Sequence, residues 1–368
     1  MEQVEKIGSL EAIAFIVIAI INGVTLNLPN SILQSTGSSA WLNVIYITVI
    51  ASMFCIIIAK LHKPFKNEDI VDVSEYLGGS ILKSIIGILY ILLFLGISAM
   101  VLKYLSECLK LIYYPTTPTL YILGFFVAAT TISTMRGISG IVRNNFILLP
   151  FLLLSIIVIF VSTAKSFVWY RAFPIFGKGI NETFFSGVSN IFIFSGFANI
   201  YFLMPLLKEK KNFKALTIAG TIISGLYLFL SIISLILAFS YVTTSRQMMS
   251  IYPLARLIEY GRFLQRIDAF FILFWILAAF SYVSTCVILA LGIFKKITYI
   301  KSTKAIAPSF TLIALGLCLF IGSAANYIFI SDIVYKYYFL TLAFVITPAI
   351  LVLANVKWYR NNKEVSQK

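Results

Sequence analysis

Long apolar runs, separated by short polar and basic segments, dominate this chain. Ten runs stand out, at 12–32, 40–59, 84–102, 119–135, 146–164, 183–207, 215–240, 269–294, 305–326 and 337–356. About 20 apolar residues cover the hydrocarbon thickness of a bilayer. Backbone polar groups in lipid must pair within their own segment, which selects helices. The pattern predicts an all-α integral membrane protein of ten transmembrane helices, of which only the fourth is short. No polar linker divides the chain, so residues 1–368 read as a single membrane domain. Glu2, Glu5 and Lys6 precede the first run without a clear cleavage site, so the first helix is expected to be retained.

Composition supports this picture. Hydrophobic residues make up 60% of the chain and charged residues 12%, with a mean hydropathy of +0.97. A soluble domain is nearer half apolar and a quarter charged. The net charge of +15 comes from short clusters between apolar runs, with no basic stripe and no aromatic RNA motif, which argues against nucleic acid. It fits topology and anionic membrane lipid instead. With the N-terminus inside, the clusters at Lys60–Lys66, Lys208–Lys214, Lys295–Lys304 and Lys357–Lys368 fall on one face, together with Lys6, Lys83, Arg136 and Arg143. The excess of Lys and Arg there predicts that both termini are cytoplasmic.

Cys55, Cys108, Cys286 and Cys318 lie in or beside apolar runs without metal-type spacing, and read as small membrane-embedded residues rather than a disulfide framework. His62, between Lys60 and Lys63, is expected to be solvated at the headgroups. No phosphate-binding loop, zinc motif, nucleophile elbow or carboxylate pair occurs. The expectation is no enzyme, no cofactor and no metal site.

Two spans are interrupted in matching places. The first reads Asn22-Gly23-Val24-Thr25 and then Leu28-Pro29-Asn30; the sixth reads Phe194-Ser195-Gly196-Phe197-Ala198-Asn199 and then Met204-Pro205. Gly and Pro weaken helices, and Asn-Gly and Ser-Gly form turns. The breaks open helices 1–5 and 6–10, about 7–164 and 181–356. That is the signature of a five-plus-five inverted repeat with broken helices 1 and 6 and a ligand site at the midplane. Unwound N–H groups suit a carboxylate, and unwound carbonyls an ammonium or sodium ion. In this reading the backbone of Asn22, Gly23 and Val24 takes a carboxylate, with Thr25 also in the ligand site; Ser195, Gly196, Phe197 and Ala198 take an amino group; and Phe194 and Phe197 supply apolar walls. The other reading of these glycines is close helix packing.

Facing residues follow from helical spacing. Tyr90, Phe94 and Ser98 share one face of helix three, and Ser281, Tyr282, Ser284 and Thr285 lie on helix eight. Both rows suit either a pocket or ordinary helix contacts. Ionisable residues, which mark many ion-driven carriers, are sparse in mid-span: Glu11, Glu182, Asp268 and the Lys103–Glu107 pair sit near span ends and read as interface or loop charges.

The stretch 251–275 resembles the spore germinant receptor B subunits, a permease-like family. The matching residues are Pro253, then Phe263, Arg266 and Asp268 leading into helix eight, and Trp275. Leu28-Pro29, Arg136-Gly137 with Arg143, and Phe173-Pro174 with Gly177 and Gly179 add to the resemblance. Gly8-Ser9 with Glu11, and Ile138-Ser139, depart from the family's pattern. The resemblance implies an amino-acid-permease-like subunit in the spore inner membrane. Such a subunit binds a small germinant, an amino acid in the first instance, and acts with receptor A and C subunits. The alternatives are a secondary transporter of amino acids and a scaffold whose site is vestigial. The 241–267 loop, with Arg256, Arg262, Arg266 and Glu259, reads either as a docking or gating segment or as an amphipathic helix at the interface.

Overall fold

The computed structural model describes residues 6–25, 28–245, 251–258, 267–322 and 324–366, without the side chains of 23–25, 28, 267, 324–325 and 364–366. Its helices are α1 (Ser9–Thr25), α2 (Leu28–Thr36), α3 (Ala40–Leu61), α4 (Ile70–Ile112), α5 (Thr119–Met135) and α6 (Ile138–Thr163). A 3₁₀ helix (Ser186–Phe202) follows. Then come α7 (Phe213–Phe239), the short α8 (Tyr241–Thr244) and α9 (Tyr252–Arg256), α10 (Ile267–Thr298), α11 (Ala307–Phe320), α12 (Ala324–Asp332) and α13 (Thr347–Ser366). Among the described residues the only β-type pairing is a parallel bridge between Ile7 and Leu207.

Among the described residues, seven segments are long and apolar enough to cross a membrane, and three shorter apolar helices, Ser9–Asn22, Thr119–Met135 and Ala307–Phe320, stand beside them. These ten coincide one for one with the ten apolar runs, although three are short where one is expected. Phe125, Ile147, Leu226 and Leu312 are more than half exposed on the outer surface. So many exposed apolar side chains suit lipid and not water. The protein is an integral membrane protein.

Helix ends differ from the hydropathy reading where charges pair. The third run, 84–102, grows into the 43-residue α4. Its start is fixed by a capping box: Val71 N and Asp72 N donate to Asp69 Oδ1, and Asp69 N donates to Asp72 Oδ2. Lys83 pairs with Glu75 at 2.8 Å. Lys103 pairs with Glu107 at 2.8 Å and is buried, not an interface charge as expected. Paired charges let the helix continue where isolated ones would end it. Gly78 and Gly79 bend α4 before the span, Gly79 at φ 70°, a left-handed value that suits Gly.

The core is built around α1 and the 3₁₀ helix. From Ala14 to Ile21 every residue of α1 is buried, which makes it a central helix, apolar all round. It packs on the 3₁₀ helix, α6, α7 and α10, while α4 packs on α10, α11 and α13. Lys296 at the end of α10 ties to both Asp69 and Asp72 at the start of α4, joining the two halves on one face.

His62 overturns its expectation. It is fully buried beside Phe213, and neither ring nitrogen completes a hydrogen bond. Burial pushes its pKa down to about 4, the Phe65 backbone opposing weakly. It follows the last turn of α3, which turns it inward under α7 while its lysine neighbours face out.

Candidate functional site

The 3₁₀ helix is unusual in its length. Runs of this geometry rarely exceed four residues, and this one holds 17, with Phe194 leaving helical values at φ −80°, ψ 36°. π-type turns flank it at Asn181–Phe185, and two more, Ile333–Phe339 and Thr341–Ile346, interrupt the tenth span. Such irregularities concentrate at functional sites. The break falls where the Phe194-Ser195-Gly196 pattern puts it.

Around that break the polar groups are unsatisfied. Ser195 and Tyr282 face one another from the 3₁₀ helix and α10, with Cys286 beside Tyr282 and Ser98 of α4 beside Cys286. Tyr335 lies within electrostatic reach of Tyr282 and Cys286. The hydroxyls of Ser195, Tyr282 and Tyr335 are buried and complete no hydrogen bond; the same holds for both amide atoms of Asn199. Native interiors leave few such groups unpaired, and each calls for an explanation. A bound polar ligand is one that matches their convergence from α10, the 3₁₀ helix and the tenth span.

The other expected site residues divide. Asn22 is buried and donates to Ile18 O at 2.8 Å and Ala278 O at 3.1 Å, tying α1 to α10. Helix α1 continues through Gly23, Val24 and Thr25, so the chain is still helical at Asn22-Gly23, where an interruption is expected; residues 26–27 and the side chains of 23–25 lie outside those described. The hydrogen bond of Asn22 to Ala278 O, with the one to Ile18 O inside α1, holds this turn against α10. Gly196 is a close-approach glycine: a Cβ there would lie 2.3 Å from the Ala19 carbonyl carbon and 2.5 Å from Ile20 N. Phe197 is buried and stacks on Phe344 with centroids 5.1 Å apart, and Ala198 is buried beside it.

Tyr90 and Phe94 belong to a separate aromatic cluster. Both pack on Phe202, eight residues past the break, at 4.9 and 5.5 Å. The Tyr90 hydroxyl is already bonded to Thr347 Oγ1 at 2.7 Å. Thr285 donates to the Ser281 carbonyl of its own helix at 2.9 Å. Sequence reasoning did not single out Cys286, Asn199 or Tyr335. Asn199 carried the readable signal, an amide inside an apolar run next to a break.

The start of the broken segment is held by a complete polar network. Asn43 Nδ2 donates to Thr183 O at 2.7 Å and Gly187 O at 3.0 Å, and its Oδ1 accepts from Asn190 Nδ2 at 2.9 Å. The Ser39 and Thr183 hydroxyls meet at 2.7 Å. At the other end, Ile7 N donates to Leu206 O at 2.9 Å and Lys208 N to Ile7 O at 3.0 Å. The break is thus suspended between two fixed ends.

Residues 6–328 match the model of a family described as spore germination protein. The chain belongs to the spore germination protein family. Spore germination protein YndE of Bacillus subtilis (strain 168) is 24% identical over 301 residues, 79% of this chain and 82% of that one. In three dimensions the chain is similar to the substrate-bound, outward-open state of a Na+-coupled sialic acid symporter, with TM-score 0.61 and 14% identity over 91% of this chain and 79% of that one. It is also similar to MhsT in complex with L-phenylalanine, with TM-score 0.60 and 15% identity over 93% of this chain and 97% of that one. The fold is that of these proteins, a five-plus-five inverted repeat with broken first and sixth helices. Of the residues carrying the family resemblance, Pro253 opens α9 and Trp275 is buried in α10 against Tyr104; Glu259, Arg262, Phe263 and Arg266 lie outside the described residues.

Proposed function

We propose that this protein is the ligand-sensing membrane subunit of a spore germination receptor, and that it binds a small amino-acid-like germinant at the break in the sixth helix. The observation that carries this reading is the convergence of the unsatisfied Ser195, Tyr282 and Tyr335 hydroxyls on that break, in a chain of the spore germination protein family. The carboxyl end of α1, at Asn22, Gly23, Val24 and Thr25, offers carbonyl oxygens and so suits the ligand's amino group. N–H groups freed beyond Phe194, at Ser195, Gly196 and Phe197, suit its carboxylate. This exchanges the roles expected from the sequence, because α1 runs on to Thr25. Phe194, Phe197 and Ala198 form the apolar wall. Tyr90, Phe94 and Thr285 surround the pocket at one remove.

A sensor needs only different affinities for two conformations. The proposed setting is the spore inner membrane, with both termini cytoplasmic and with receptor A and C subunits and membrane lipid as partners. Equilibrium binding of labelled amino acids to the purified chain in lipid tests the reading. Saturable binding lost in Ser195→Ala/Tyr282→Phe is expected; binding unaltered by that pair overturns the site.

The transporter fold supports a second reading, secondary active transport of an amino acid. Accumulation of label in proteoliposomes against a gradient would establish it. Tight assembly with partner subunits and no ligand-dependent change would leave the scaffold role.

A further inference from the structure

A cavity opens between the end of α3 and the start of α7. It encloses about 470 Å³, and six lysines line it: Lys60, Lys63, Lys66, Lys210, Lys211 and Lys214. Ile56, Ala59, Met204 and Phe213 form the apolar remainder, and no carboxylate lines it. Among the described residues Glu209 is the one carboxylate paired with any of the six, 3.9 Å from Lys211, and both of those side chains are mostly exposed. Lys210 donates to Asn67 Oδ1. Lys60, Lys63, Lys66 and Lys214 form no ion pair among the described residues.

Like charges crowded around one concavity repel one another, and the repulsion is relieved only by an anion. Simple ions would screen exposed lysines, but they would leave the apolar wall unfilled. Placement narrows the chemistry further. The pocket begins where the Pro29–Leu61 span ends and where α7 enters the membrane, which is headgroup depth. Ile56, on the last turns of α3, is exposed toward the hydrocarbon side of the same cavity. A ligand matching this site has a phosphate-bearing head and an acyl chain leaving it along α3. Basic pockets between helices at this depth suit anionic phospholipid.

We propose that the α3–α7 pocket seats the phosphate headgroup of an anionic phospholipid, with its chain lying along Ile56. Met204, at the end of the sixth span, shares the cavity, so an occupied pocket braces the exit of the broken helix against α3. This proposal is independent of the germinant reading.

The test is native mass spectrometry of the full chain in phosphatidylcholine nanodiscs titrated with phosphatidylglycerol or cardiolipin. The comparison is wild type, Lys63→Gln/Lys66→Gln/Lys210→Gln/Lys214→Gln, the same four changed to Arg, and a control with Lys295→Gln/Lys301→Gln/Lys304→Gln/Lys357→Gln. Saturable retention of anionic lipid, weakened about tenfold or more by the pocket Gln set but not by the Arg set or the control, is the expected result. Equal loss in both Gln sets would reduce the effect to diffuse surface charge and overturn the proposal. Inorganic phosphate displacing the lipid at millimolar concentration would assign the pocket to a soluble anion and overturn it too. These lysines are largely exposed, and unchanged size-exclusion behaviour of the Gln set verifies that it folds.

Discussion

The start and the middle of the broken sixth segment are built from similar residues put to opposite uses. At Thr183, Gly187 and Asn190 every polar side chain meets a partner, with Asn43 at the centre. At the break, Ser195 and Asn199, with Tyr282 of α10, are as deeply buried and complete no bonds. Both regions take polar groups out of water and lipid, but only the first recovers the interaction within the protein. A satisfied buried network fixes geometry. An unsatisfied one stores free energy that a ligand with complementary groups releases. Burial and polarity alone therefore do not locate a binding site; the hydrogen-bond inventory does.

The strongest way to break this contrast is Gly196→Val. Its added atoms meet the α1 backbone at Ala19 and Ile20, which cannot yield without moving a central helix. Overpacking of this kind costs about 3 kcal/mol or more against backbone, and the expected result is loss of monodisperse protein on size exclusion. Recovery of normal folded yield would mean that the two helices are not locked. A bulky residue here is for the same reason a poor means of filling the pocket.

Next in size is Asn43→Leu, which strips Thr183 O, Gly187 O and Asn190 of their partner. We expect about 2 kcal/mol of destabilisation, read as a lowered unfolding temperature in detergent, with ligand affinity little changed. An unaltered melt would show that the network is decorative.

His62 sharpens the contrast from another side, since it is a fully buried group packed on Phe213 whose ring nitrogens complete no hydrogen bond. Its folded-state pKa, about 4, lies below its ordinary value of 6.5, so the unfolded chain binds the proton more readily. Its contribution to stability is complete above pH 6.5 and is lost as pH falls from there toward 4. Comparing wild type with His62→Leu by thermal melting should show a steeper decline in wild type across that window. Parallel curves would mean that His62 is solvated.

The smallest expected effect on stability, and the most telling, belongs to Tyr282→Phe. Removing a hydroxyl that neighbours Ser195 and Cys286 without completing a well-formed hydrogen bond should leave the melt within about 0.5 kcal/mol or raise it slightly, while amino-acid affinity falls about tenfold. A large destabilisation would place that hydroxyl in a structural role.

The ten spans were legible because hydropathy is additive along the chain and needs no tertiary partner. Their ends were less so: α4 passes through Lys103 only because Glu107 neutralises it one turn on. The break at Phe194 was legible from Ser-Gly in an apolar run, whereas α1 outlasts Asn22-Gly23 because Asn22 finds a carbonyl 256 residues away. Ser195 and Tyr282 stood out as polar residues in apolar surroundings. Nothing local told Tyr282 from Tyr90, whose hydroxyl is taken by Thr347 across a separation of 257 residues. His62 was misjudged because its neighbours in sequence, the lysines, are not its neighbours in space.

The bridge between Ile7 and Leu207, together with the seating of Gly196 on Ala19, makes α1 and the broken helix one mechanical part. A lever fastened at mid-length and at one tip cannot bend independently of its mate. Whatever happens at the break is then transmitted as a joint swing of both helices against α4 and α10. The Ile7–Leu207 bridge is where that swing reaches the far end of the sixth span, at Leu206 and Leu207.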